Sequence, residues 1–529
     1  MISKIKEIVD MRTLIFIFLL FIGFWRILLG SIGTINWDYP IFLDGTWRII
    51  QGQIPHIDFS TPIGPFTFFI GYLGSIFTGL SIHSFDYGIV FVYFLTTYFI
   101  FYWSKNYMHS LPSILITLLI GSYLITTRII GYPFYILGYT SYYNLIGYVF
   151  LYIIAINVIF SKKNQKNNIW SGGVSGFLVV LSFFTKITFG LGALVFTIIK
   201  LLIERSNRDW WIGYILGFGI CSVSFLYYFN FNVNLVIEDY LIMINASGGE
   251  NNIIVHLIDL LIASIFFQLT NPYSFILAFI PFISSCLFLY FIYKDTVKRG
   301  GNFDFLIYVT LLTLLGIALM ITVNQPPEFV MGPIVAVLFF NWLNIKQRFL
   351  HKSSIILTKN LSLLIIIIAL MNNSLSLLFG TYKIFLMDNS KYSIALNDYP
   401  TLKGGFFTKN NEITFEFIDG LKMLEPYVTE NDKITVLGVN IFSFSLMQNS
   451  TKKDLLYWHD GITHSDKTLT ELKKMEGKNI FKDTTILMLP LTMINKPTNA
   501  INHYQNYIAS NFTLFSQSKY WKMFIKNQE

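Results

Sequence analysis

Between Asn36 and Pro65 the chain gathers Asp38, Asp44 and Asp58 with His56, Arg48, Trp37 and Trp47. Carboxylates and imidazoles take and give protons, and a guanidinium pairs with carboxylate or phosphate. This density is high for a chain only 13% charged. A carboxylate at a membrane boundary is expensive unless it is solvated or used. Each residue also has a plainer reading. Asp38 is a helix cap or a solvated interface acid, and Asp44 and Arg48, four apart, are a surface ion pair. Asp58 caps the turn before Pro62, and His56 is an interfacial polar residue. Farther along, Arg128 and Lys186 lie at the ends of apolar blocks. Both suit an anion held at the membrane face, and both suit snorkelling end residues. Lys186 is the stronger candidate, because the turn Thr185-Lys186-Ile187 is too short to need a charge for solubility. Glu328, after Asn324-Gln325-Pro326-Pro327, lines a cavity or sits at an interface.

The elements that must position these residues are membrane helices. The 529 residues are 54% hydrophobic and 18% aromatic, with a mean hydropathy of +0.56. Soluble domains carry about 25% charged residues, so a soluble enzyme and a disordered scaffold are both excluded. The apolar residues come in blocks of about 20, the length of a bilayer-spanning helix. The expected fold is an all-α polytopic membrane protein. The net charge of +8 is no nucleic-acid signal, because the Lys and Arg form short tufts between the blocks, as topology determinants do. Cys221 and Cys286 lie inside apolar blocks, and no CxxC or Cys/His cluster suggests a metal. The run Thr13 to Gly30 is long enough to remain an anchor rather than a cleaved signal.

The candidate blocks are 13–30, 62–80, 86–104, 111–127, 143–160, 170–185, 187–203, 210–229, 256–269, 273–293, 304–324, 328–345 and 359–380. If all cross, the basic tufts fall on opposite faces. Block 62–80 is broken by Pro and Gly, and 256–269 is short and opens with His256 and Asp259. Laid along the outer interface, these two put every tuft in the cytoplasm. About 11 spans then follow, with a cytoplasmic N-terminus and a long first outer loop over 31–86. The expected location is the plasma (inner) membrane.

Residues 1–380 form the membrane domain, and 381–529 read differently, with Lys, Asp, Glu and Asn spread evenly. Helical spacing covers 413–424 and 469–475, and strand-like runs cover 433–439 and 484–489. Alternating signals over about 150 residues predict a small α/β domain, and the cytoplasmic tufts with an odd count of spans put it outside the cytoplasm.

A first span followed at once by Trp37-Asp38, a helix with Asp44-Gly45, then Gly52, Pro55, Asp58-Phe59 and Pro62 resembles the GT-C glycosyltransferase superfamily. The likeness is closest to its bacterial polyprenyl-phosphate-dependent members, related to protein O-mannosyltransferases and lipid A aminoarabinose transferases. It covers about the first 200 residues and the topology. It implies a sugar donor on a polyprenyl phosphate and inverting transfer to a glycan, lipid or protein acceptor. It also implies Asp38 as general base, with Asp58 and Asp44 next in line. Lys186, Arg128 and His56 are then the candidate ligands of the donor phosphate, and Trp37, Tyr39, Tyr139, Tyr142 and Glu328 line the substrate cavity. Metal-dependent members carry an acidic pair in the second outer loop. Here the loop RIIGYPFYILGYTSYYN has no acid, so neither a metal nor another cofactor is expected. Its tyrosines suit sugar faces or interface anchoring. The competing readings are a transporter or flippase and an O-antigen polymerase or ligase. Against the first, no internal repeat is visible and the block interiors are nearly free of charge. Against the second, the large outer loop comes first in the chain.

Overall fold

The computed structural model describes residues 11–29, 38–61, 63–104, 107–135, 137–138, 142–161, 168–204, 207–247, 273, 275–299, 303–322, 328–345, 352–387, 393–394, 396, 398–403, 405, 407–408, 412–438, 440–452, 477–491 and 498–527. The helices before the C-terminal domain are α1 (Met11–Leu29), α2 (Asp38–Ile50), α3 (Phe66–Thr78), α4 (Ser84–Ser104), α5 (Ser110–Ile125), α6 (Tyr142–Phe160), α7 (Asn168–Phe183), α8 (Ile187–Ile203), α9 (Arg208–Tyr228), α10 (Val233–Ser247), α11 (Ile280–Arg299), α12 (Phe303–Thr322), α13 (Gly332–Ile345) and α14 (Lys352–Met387).

Among the described residues, six helices are long and apolar enough to cross a membrane: Ser84–Ser104, Tyr142–Phe160, Arg208–Tyr228, Phe275–Val297, Phe303–Met320 and Ile355–Lys383. Shorter apolar helices lie between them, among them Ser110–Ile125, Asn168–Phe183 and Ile187–Ile203. Large apolar side chains such as Leu95, Trp170, Ile215, Ile220 and Leu357 face outward. A soluble protein would bury such a surface, and a bilayer solvates it. This is a helical membrane protein.

The weak block at 62–80 becomes α3, whose 13 residues span only about 20 Å at 1.5 Å per residue. It ends at Gly79, where φ is +69°, and packs tightly back on α4. A Cβ on Gly74 would sit 1.6 Å from the Ser84 carbonyl oxygen. The block expected at 256–269 lies outside the described residues. The last membrane helix, α14, has 36 residues and runs through the boundary drawn at 380.

In the C-terminal domain the chain passes through β1 (Ser393–Ile394), β2 (Phe407–Thr408), α15 (Glu412–Leu424), β3 (Lys433–Val436), α16 (Phe442–Ser445), β4 (Asn449–Ser450), α17 (Gly477–Ile480), β5 (Ile486–Pro490), α18 (Thr498–Asn511), β6 (Phe512–Gln517) and β7 (Trp521–Lys526). Five strands form a mixed sheet in the order β4-β3-β5-β7-β6. β3 is parallel to β4 and β5, while β7 is antiparallel to both of its neighbours. Strand β5 is buried on both faces: Ile486 and Met488 point to one core, Leu487 and Leu489 to another. The two cores follow from the period-2 alternation of a strand. The expected strands at 433–439 and 484–489 are β3 and β5, and the expected helix at 413–424 is α15. The helix expected at 469–475 lies outside the described residues.

The first loop carries this domain. Trp47 Nε1 donates to the Gln448 carbonyl at 2.7 Å, Arg48 Nη1 to Thr451 O at 2.8 Å, and Gln53 Nε2 to Ser450 O at 2.7 Å. Ile82 N donates to Thr401 O at 2.7 Å. One continuous apolar core joins the membrane helices to α15, β3 and the inner face of β5.

Candidate functional site

Asp38 is the first residue of α2 and is half-buried. A carboxylate there faces the positive end of the helix dipole. Lys186 is the N-cap residue of α8, in the turn that follows α7. The first loop is bound to this same turn: Phe66 N donates to Phe184 O at 2.9 Å and Gly64 N to Thr185 O at 3.3 Å. Only glycine allows this approach, because a Cβ on Gly64 would lie 2.1 Å from the Phe184 carbonyl oxygen. Lys186 Nζ donates to Asn144 Oδ1 at 3.2 Å and stands 5.5 Å from the centroid of the Tyr143 ring. Burial pushes the Lys186 ammonium down from its ordinary 10.5 to about 8, while the charge of nearby Asp38 pulls it back up. The structure thus brings a carboxylate from the first loop within electrostatic range of an ammonium from a distant turn, which has Asn144 and an aromatic face alongside.

A second cluster joins the first loop to α10. His56 Nδ1 meets Asp239 Oδ2 at 2.5 Å. The same oxygen accepts from Thr61 N at 3.2 Å. The His56 ring lies 4.8 Å from that of Tyr240, centroid to centroid, and Tyr240 donates from its hydroxyl to Phe183 O at 3.4 Å.

Arg128 does not stand beside these groups. Its guanidinium forms a two-pronged pair with Glu328, both bonds 2.7 Å long and both residues buried. Arg128 Nε donates to Asn373 Oδ1 at 2.8 Å, and Gly131 N donates to Glu328 Oε2 at 2.8 Å. These bonds fasten the segment after α5 to the segment before α13 and to α14.

The Asp44–Arg48 pair is not a surface pair. Both residues are buried, with Nε 3.0 Å from Asp44 Oδ2, because the C-terminal domain covers them. Asp58 caps its own turn, accepting from Ile54 N at 2.9 Å. Its other oxygen lies 3.4 Å from Lys452 Nζ. Tyr39 and Tyr142 are buried, with hydroxyls given to the carbonyls of Ile82 and Leu124. Trp37 and Tyr139 lie outside the described residues. Among the described residues, no group of three His, Cys, Asp or Glu could hold a metal ion.

Three groups escaped the sequence reading. Asn144, the partner of Lys186, was signalled only by an amide at the start of an apolar run. Asp239 was visible as an acid but not assignable. Arg26 pairs with Asp86, both buried; an ionisable residue inside a span generally needs such a partner.

Compared with known proteins, the chain matches no family model and no curated sequence.

Proposed function

We propose that the protein is a membrane glycosyltransferase of the GT-C kind, moving a sugar from a polyprenyl-phosphate donor to an acceptor on the outer face of the plasma membrane. One observation supports this reading above the others: the first loop that holds Asp38 is bonded to the α7–α8 turn that carries Lys186, near enough for the two charges to act on each other. That combination suits inverting displacement at an anomeric carbon. Asp38 takes the proton of the acceptor hydroxyl as its oxygen bonds to the anomeric carbon. The bond from that carbon to the phosphate oxygen breaks, and the departing phosphate keeps the electron pair. Lys186, with Asn144 holding its ammonium, meets the charge that builds there. The membrane part crosses about 11 times on this reading, and the C-terminal domain stands on the side of the first loop.

The test is consumption of a polyprenyl-phosphate sugar by detergent-solubilised protein. A transporter or flippase needs a sealed membrane and leaves the donor intact. Asp38→Asn keeps the volume and removes the proton acceptor, so turnover should fall on the order of 10²–10⁴-fold with donor binding retained. Near-full activity in that variant would refute Asp38 as base. The segment from Arg128 to Asn144 carries no acid, so the reading requires no divalent metal. Chelation should leave the rate unchanged, and a loss restored by Mg²⁺ or Mn²⁺ would count against it.

A further inference from the structure

The His56–Asp239 dyad carries three unfavourable features at one point. His56 has φ +63°, in the left-handed region where non-glycine residues are uncommon. Its Nε2 is buried with no hydrogen-bond partner among the described residues. The second oxygen of Asp239 is in the same condition. The His56 side chain has no exposed surface, so water does not offset the loss. Buried polar atoms are nearly always paired, and an unpaired one destabilises the fold. Strain and unmet polarity held together are a mark of functional sites.

The local chemistry defines what Nε2 offers. The Asp239 carboxylate only accepts, so the proton between it and the ring belongs on Nδ1. A neutral ring so held presents a bare lone pair at Nε2. Its surroundings are aromatic: Tyr240, and Phe229 with ring centroid at 6.4 Å. A lone pair in an aromatic wall is complementary to a hydroxyl. The position also matters. Tyr240 bonds to Phe183 and the loop bonds to Phe184, so the dyad shares a frame with Lys186. On the lipid-linked-sugar reading, the group joined to a phosphate at Lys186 is the sugar.

We propose that His56 contacts the substrate, its Nε2 accepting a hydrogen bond from a hydroxyl of the donor's sugar, and that Asp239 is the positioning residue that holds the ring for it. The proposal rests on the lipid-linked-sugar reading above. Both bonds from His56 and Thr61 to α10 end on Asp239 Oδ2.

The experiment titrates full-length protein in detergent with undecaprenyl phosphate. It does the same with undecaprenyl phosphate bearing glucose, mannose or 4-amino-4-deoxyarabinose. Wild type should prefer one glycosylated lipid over the bare one. His56→Asn tolerates the left-handed backbone and should lose that preference, on the order of two- to tenfold for one hydrogen bond. Its affinity for bare undecaprenyl phosphate should stay unchanged. Asp239→Ala should act in the same direction. Equal losses for bare and glycosylated lipids would make His56 a phosphate ligand and overturn the proposal, as would an unchanged preference in both variants. Wild type that binds bare lipid with no preference for any glycosylated form refutes the role of the dyad alone. Wild type that binds none of the four refutes the donor reading itself.

Discussion

Lys186→Met should make the protein more stable and less able to bind its donor. The side chains have similar length, and methionine fills the same space without charge. The ammonium in place is held at about 8 against an ordinary 10.5, chiefly by burial. At 1.36 kcal/mol per unit, that displacement is an order-of-magnitude destabilisation of about 3 kcal/mol for the charged form. Removing it returns up to that amount near neutral pH. That figure is already net of the attraction to Asp38, and part of the gain is lost because Asn144 Oδ1 gives up its donor. The net expectation is a positive change of about 1–2 kcal/mol. It is read as a rise in unfolding temperature in detergent at pH 7, alongside the affinity for undecaprenyl phosphate. A residue that lowers stability and is needed for binding marks a site arranged for function. If Lys186→Met unfolds at a lower temperature and binds the lipid as wild type does, the ammonium is a structural tie and the phosphate assignment falls.

Two further outcomes follow from the same geometry. Donor affinity should fall as pH rises through about 8, because Lys186 loses its proton there, while the contribution of this group to fold stability should rise between that pH and 10.5, where the unfolded chain still holds the proton and the folded chain does not. Lys186→Arg, which stays charged, should abolish the fall in affinity, and an unchanged pH profile would exclude Lys186 as its source. Arg128→Ala should lower stability by about 3–5 kcal/mol, the loss on breaking a buried pair and leaving Glu328 uncompensated; a stable variant with weakened donor binding would instead return Arg128 to the phosphate.

The membrane helices were legible because twenty apolar residues in a row admit few other fates. Lys186 stood out singly, as a charge in a turn too short to need one for solubility. The strands β3 and β5 showed in KITV and TTILML, where apolar residues run together. The hairpin of β6 and β7 did not. Four of the six residues of β6, Thr513, Leu514, Phe515 and Gln517, are exposed, polar and apolar alike, so its sequence shows no clean alternation. The proximity of Asp38 to Lys186 joins residues nearly 150 positions apart. No local spacing encodes such a proximity. The same holds for His56 with Asp239 and Arg128 with Glu328, whose members were each visible singly. The burial of Asp44 and Arg48 was hidden because their cover arrives from residues 448–451.

Four of the hydrogen bonds in the clasp between the first loop and the C-terminal domain are chemically one-sided. Trp47, Arg48, Gln51 and Gln53 supply the donor side chains, and the domain answers with main-chain carbonyls of Gln448, Ser450 and Thr451. Every residue type has that carbonyl. Replacing the side chains at 448, 450 and 451 therefore leaves these four donors their acceptors, provided the strand keeps its path. Replacing the donors does not. Mutational tolerance across the seam should be lopsided, high on the domain side and low on the loop side. A C-terminal domain with different side chains along that edge could be grafted onto the membrane part and still seat on the helix that begins with Asp38.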